Sequence, residues 1–374
     1  MKYVLFERGN NQIMKKSKVL FSRPLLPDFK EYMVMALNSF KNNDISVPSH
    51  LHKELERKLA MRFETPIALY SNGTQALTAA LMSFSLKGEV ITTPFSSVAT
   101  AQAIKRAGLT PIFADIDADT LCLSPESVFK KISPRTSAIV PVHIFGINCD
   151  VTGFEKISNT ANTKIIYDAA HAFDLAIDDL PISKFGDASA YSFNANRLFQ
   201  TIEGGGAVFP RSKMTLNTAR LWGNFGLNDD QAIMEGTNSK LGELNCAMGL
   251  SVFPLIEKER QKRYKIAVAY HDILGNIDGI RVHTSANAEH FVIQVAQEFI
   301  DREKIINALN NNGIQSRCYF PSLISDMPLF KRKFEDKFPN ALKASKECIG
   351  LPFYSALGTD NAQTIAKIIL SLKR

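Results

Sequence analysis

The chain has 374 residues, 45% of them hydrophobic, enough to bury one large core and a smaller second one. Its 44 basic and 37 acidic residues give a net charge of +7 with no long single-sign block, which excludes a disordered chain and a nucleic-acid footprint and leaves a mild preference for anionic small molecules. The five cysteines are scattered without a CxxC pair, and no apolar run approaches the ~20 residues of a membrane helix, so a cytoplasmic protein without metal or membrane partner is expected.

The start, MKYVLFERGN, has too short an apolar run before Glu7 and Arg8 for a signal peptide. Residues 1–20 are set apart as an N-terminal extension, with Met14 as an alternative start. From about residue 65, short β-branched runs alternate with amphipathic helices. The predicted strands are 89–95, 111–117, 137–146, 164–171, 189–194 and 206–210. The predicted helices are 74–84, 98–108, 125–132 and 153–161. Ser124 before Pro125 and Glu126 is a good helix start, because serine caps and proline is pre-set for the first turn. This alternation predicts a mostly parallel sheet covered on both faces, and runs such as AIVPVHIF suit strands buried on both sides.

Near residue 240 the pattern changes. Residues 241–274 read as helix interrupted at Pro254, followed by strands at 279–284, 290–295 and 314–320 and helices at 302–313 and 361–373. The boundary is placed at 255, giving a large domain over 21–255 and a small α+β domain over 256–374. The basic runs at 257–265 and 331–337 read as solvated helix faces.

Three segments carry candidate chemistry. In SNGTQALTAAL (71–81) a small polar turn opens a helix, and a helix N-terminus with a close-approaching glycine binds phosphate; an ordinary capped helix has the same look. In YDAAH (167–171) a strand ends in Asp168, at the edge where α/β folds bind ligands; a helix cap remains the alternative, and His171 reads equally as a satisfied half-buried histidine. In the third, Ser192 can donate to a phosphate, and Glu203 before three glycines forces a tight turn.

Together with PFSSVATAQAI, IVPVHIFGINCDV, GTNSKLGELNCAMGL and IQSRCYFPSL, these segments resemble, in order and spacing over residues 20–374, the DegT/StrS family of nucleotide-sugar aminotransferases. The resemblance implies the α/β type I PLP-transferase fold, with a seven-stranded-type sheet and a smaller C-terminal domain. It also implies a homodimer with shared active sites, pyridoxal phosphate or pyridoxamine phosphate as cofactor, and a nucleotide-linked 4-keto-6-deoxy sugar as partner, in polysaccharide biosynthesis. By the same resemblance Gly73 and Thr74 match the phosphate turn and Asp168 the partner of the pyridine nitrogen. His171 matches the position beside the ring, Ser192 the phosphate-binding serine, and Asn238 an asparagine that reaches the neighbouring subunit's phosphate.

The family pattern S-F-H-x-x-K-x-x-x-x-x-E-G-G is met at Ser192, Phe193, Glu203, Gly204 and Gly205, but its lysine position is Arg197, and no lysine lies between Lys184 and Lys213. Arginine stays protonated, with its lone pairs delocalised over a planar cation, so it cannot serve as the nucleophilic amine. Ser97 stands where relatives place a ring-stacking aromatic, Phe95 lying two places earlier, and ISVPSH (45–50) replaces a Gly-Pro turn. Three readings stay open: a relative that binds nucleotide sugar without transaminating, a pyridoxamine-phosphate-dependent dehydratase-like enzyme with His171 as proton shuttle, or an aminotransferase carrying an inactivating Lys→Arg change.

Overall fold

The computed structural model describes residues 19–43, 45–46, 48–331 and 337–372. Met14 and most of the N-terminal extension, Val47 of the 45–50 turn and the centre of the second basic run lie outside the described residues.

Two helices precede the sheet, α1 (Phe29–Lys41) and α2 (His50–Arg62). Neither was among the predicted elements, although both carry start signals: the Asp28 and Ser49 side chains accept first-turn N–H groups. In α2, Leu51, Leu55 and Leu59 recur every four residues and are buried. The βα alternation then runs β1 (Ile67–Tyr70), α3 (Gly73–Met82), β2 (Glu89–Thr92), α4 (Val98–Arg106), β3 (Thr110–Phe113), α5 (Pro125–Phe129), β4 (Thr136–Val140), α6 (Val151–Ala161) and β5 (Lys164–Asp168). A two-residue hairpin, β6 (Ala176–Ile177) and β7 (Leu180–Pro181), precedes β8 (Ala188–Ser192), β9 (Gly205–Val208) and α7 (Lys213–Trp222).

These strands form a seven-stranded sheet in the order β1-β9-β8-β5-β4-β2-β3, in which only β9 runs against its neighbours. The predicted mostly parallel α/β sheet is therefore present. Side chains alternate between its faces with the period of two that a strand imposes. Ala68, Val90, Ala138, Ile166, Ala188, Ala190 and Ala207 share a core with Ala76, Ala79 and Ala80 of α3. Ile91, Ile139, Ile165 and Tyr167 pack into a second core, and Ile67, Leu69, Tyr191 and Val208 into a third. The alanine-on-alanine contact lets α3 lie close against the sheet, which brings its N-terminus to the strands' C-terminal edge.

A second short hairpin, β10 (Leu227–Asn228) and β11 (Gln231–Ala232), leads to α8 (Glu243–Val252) and α9 (Ile256–Leu274), joined by a 3-10 turn through Pro254. The remaining chain forms the antiparallel sheet β12 (Ile280–Thr284), β13 (Phe291–Val295), β14 (Arg317–Cys318) and β15 (Cys348–Gly350), with α10 (Arg302–Asn311), α11 (Pro339–Glu347) and α12 (Thr359–Leu370). Its order is β12-β13-β15-β14. Val19 pairs with Ile314, so the described chain lies against this small lobe at Val19 before crossing to the large one.

Three expectations are corrected. The strand predicted to reach residue 146 stops at Val140, and the chain turns through Ile144–Gly146 with Phe145 at φ 55°. The strand predicted over 314–320 shrinks to Arg317–Cys318. The basic run at 257–265 is not wholly solvated, because Arg263 and Glu259 are buried as an ion pair. No helix among the described residues is long and apolar enough to cross a membrane.

Two buried histidines make stability pH-dependent. Burial pushes His143 down to about 4, and burial aided by Arg220 and Lys53 does the same to His52. Both are neutral when folded and protonate near ~6.5 when unfolded. Their contribution is complete above about pH 6.5 and lost as pH falls toward 4, on the order of 3 kcal/mol for each. Urea denaturation at about pH 7 and 4.5 is expected to give a clearly lower midpoint at the acid value, and equal midpoints contradict this.

Candidate active site

The C-terminal edges of β1, β5 and β8 open into a cavity of about 500 Å³. Its lining includes Gly73, Thr74, Asp168, His171, Ser192 and Arg197, so five of the six expected cofactor-binding residues and Arg197, expected at the lysine position, converge. A smaller cavity of about 220 Å³ adjoins it and shares Ser97, His171, Asn194 and Arg197. Asn238 does not line either; it is exposed and bridged to Asn224 on the α7–α8 connection.

The phosphate end follows from local sequence. Asn72 caps α3 by accepting the Gln75 N–H at 2.9 Å, leaving the first-turn amides at the cavity. A Cβ on Gly73 would stand 2.8 Å from the Ser192 Cβ, and one on Gly205 2.6 Å from the Asn72 carbonyl carbon. Glycine at both positions thus lets strand, turn and helix N-terminus converge, and α3 ends its dipole there.

Asp168 ends β5 and is 8% exposed. Its Oδ2 accepts from Thr100 Oγ1 at 2.7 Å and its Oδ1 from the Ala170 N–H at 3.1 Å. Burial raises its pKa above the ordinary carboxylate value, although those two bonds and the Arg197 cation pull the other way. No ion pair to Asp168 forms among the described residues, so the site holds an acceptor-only carboxylate that a cationic partner would relieve.

His171 is fixed as a neutral ring. Its Nδ1 accepts the Phe145 N–H at 3.0 Å, which assigns the proton to Nε2. Burial, Arg197 and His290 hold its pKa well below the usual imidazole value. The left-handed turn at Phe145 aims that N–H, and the Phe145 ring lies parallel to His171 at 6.2 Å.

Arg197 sits on the loop between β8 and β9. Its Nη1 is 3.3 Å from Glu289 Oε1, and the neighbouring Leu198 N–H donates to Glu289 Oε2 at 3.0 Å. Its Nε is buried without a partner. No lysine among the described residues lines either cavity, and Lys184 instead donates to the Glu64 carbonyl at 2.7 Å.

Ser97 caps α4 and lines both cavities. Phe95 does not replace the missing aromatic: it is fully buried, edge-on to Phe145 and Phe320. Sequence reading missed Thr100, Glu289 and His290. Thr100 lay inside a predicted helix and Glu289 just before a predicted strand, and neither position has a local signal for its distant partner.

The sequence profile of the DegT/DnrJ/EryC1/StrS aminotransferase family matches residues 29–370. The chain is 34% identical over 364 residues to the dTDP-4-amino-4,6-dideoxy-D-glucose transaminase of Shigella dysenteriae, covering 95% of this chain and 99% of that one. It is 33% identical over 371 residues to the Escherichia coli enzyme of the same name, covering 96% and 99%. Among solved structures it superposes with DesI, crystallised in the presence of its TDP-sugar product, at a TM-score of 0.90 and 26% identity over 95% of this chain and 92% of that one.

Proposed function

Because the chain belongs to the DegT/DnrJ/EryC1/StrS aminotransferase family, we propose that it binds a dTDP-linked 4-keto-6-deoxy sugar and holds the family's cofactor without a covalent bond, and so does not transaminate by itself. The cofactor of the family is pyridoxal phosphate, with pyridoxamine phosphate as its amine form. When bound, it supplies an electron sink.

The residues fit that group in two respects. The cradle at Gly73 and Ser192, which any Cβ would fill, suits a phosphate, with Thr74 adding a hydroxyl. The buried Asp168, raised and without a cation, suits a protonated pyridine nitrogen. They fail it in one: among the described residues no amine lines the cavities to bond its aldehyde carbon. The observation that carries the reading is Arg197 engaged with Glu289 at the position where the family pattern has lysine.

The dehydratase-like reading has less support. It needs a proton shuttle, and His171 has its Nδ1 lone pair occupied and its protonated form disfavoured. Asn238, exposed on this chain, is assigned to the neighbouring phosphate site of a homodimer. The domain boundary is assigned at residue 255, in the turn after Pro254, and the setting to the cytoplasm.

Incubation with pyridoxal phosphate followed by borohydride and peptide mapping is expected to show no modified lysine facing the cavity, while pyridoxamine phosphate and a dTDP-sugar bind in equilibrium dialysis. A borohydride-stable mass increase on a lysine facing the cavity would overturn the reading.

A further inference from the structure

Arg197 is tied rather than loose. Glu289, whose side chain is 1% exposed, gives one oxygen to the Arg197 guanidinium and the other to the Leu198 N–H. Glu289 lies two residues before β13 of the small lobe, so the contact joins the β8–β9 loop to the second sheet. A carboxylate this buried is costly without a cation, and Arg197 is the cation bonded to it. The pair is close to neutral as a unit. Arg197 Nε keeps a buried, unpartnered N–H.

We propose that Glu289 is a positioning residue matched to Arg197, so that positions 197 and 289 form one functional unit. This rests on the cofactor-binding reading above. A lysine placed at 197 meets the same carboxylate. An opposite charge in a buried setting favours the ammonium form, and an ammonium has no lone pair with which to attack an aldehyde. Reversion at 197 alone therefore leaves a captured, unreactive lysine, and a free amine at neutral pH requires a neutral side chain at 289 as well.

The test compares the full-length wild type, R197K, E289Q and the R197K/E289Q double variant. Each is incubated with pyridoxal phosphate across a pH series and trapped with borohydride. In a productive variant the lysine nitrogen bonds the aldehyde carbon, water leaves with the aldehyde oxygen, and borohydride delivers hydride to fix the bond. Peptide mapping reads the fraction modified at residue 197. The double variant is expected to trap at least about tenfold more cofactor than R197K near pH 7, and R197K to reach the same extent only about one pH unit or more higher. Wild type and E289Q are expected to trap none at residue 197.

Coincident pH profiles for R197K and the double variant overturn the proposal. So does absence of trapping in both when each melts cooperatively and binds pyridoxamine phosphate like wild type. Pyridoxamine phosphate binding needs no lysine, so its failure in wild type sinks the cofactor reading itself, and the two failures are told apart.

Discussion

Asp168→Asn is expected to weaken pyridoxamine phosphate binding by roughly a hundredfold while leaving the free protein equally or more stable. Asparagine keeps the size of the side chain and an oxygen able to accept from the Ala170 N–H or Thr100 Oγ1, but it removes the charge. The charge interaction with a protonated pyridine nitrogen in a buried site is worth about 3 kcal/mol, which converts to the stated factor. Stability moves the other way for a reason visible in the free protein. Burial raises Asp168 above its unfolded value, so its contribution is fully present below the unfolded pKa and is lost as pH rises through the folded one. At neutral pH the ionised form is a cost that asparagine lacks. Equilibrium dialysis and thermal melts check the two halves, and unchanged affinity would remove Asp168 from the cofactor site.

Arg263→Met is expected to cost about 3–5 kcal/mol of unfolding free energy. Arg263 is 2% exposed on α9, with its Nε donating to Glu259 Oε1 at 2.7 Å one turn earlier. Glu259 is itself 4% exposed and takes in addition the Ser355 N–H at 3.4 Å. Removing the arginine leaves a buried carboxylate without its counterion, whereas replacing both residues by methionine removes both desolvation terms. The double variant Glu259→Met/Arg263→Met is therefore expected to recover most of the loss, because a buried pair and a packed apolar pair are often close in free energy. Urea denaturation of the three proteins measures the cycle. A double variant as unstable as the single would mean that the arginine acts through packing alone.

How much was legible in sequence differs by residue. Asp168, Ser192, Gly73 and Thr74 sit beside strand ends and a capped helix, whose signals are local, and they line one cavity. Asn238 was marked by motif order, and on one chain it stands apart from that cavity. Charge pattern misled at 257–265, because a helix in a lobe core can bury one turn of an otherwise solvated run when the buried charges pair across four residues. The helices α1 and α2 have capped starts but are not among the predicted elements, and in the structure the apolar side chains of α1 are largely exposed.

The alternation of strand and helix, the family, and an arginine at position 197 are legible in the chain alone. Each is written in near neighbours: periodicity, caps, glycines and one side-chain identity. Only the tertiary structure decided that Arg197 is held by Glu289, 92 residues away, that Thr100 braces Asp168 across 68, and that His171 is locked in one neutral tautomer by a backbone amide 26 residues earlier. Such partners meet because the sheet and the two lobes bring remote segments within hydrogen-bond reach, and a pairing closed through space leaves no period in the chain for a reader to find.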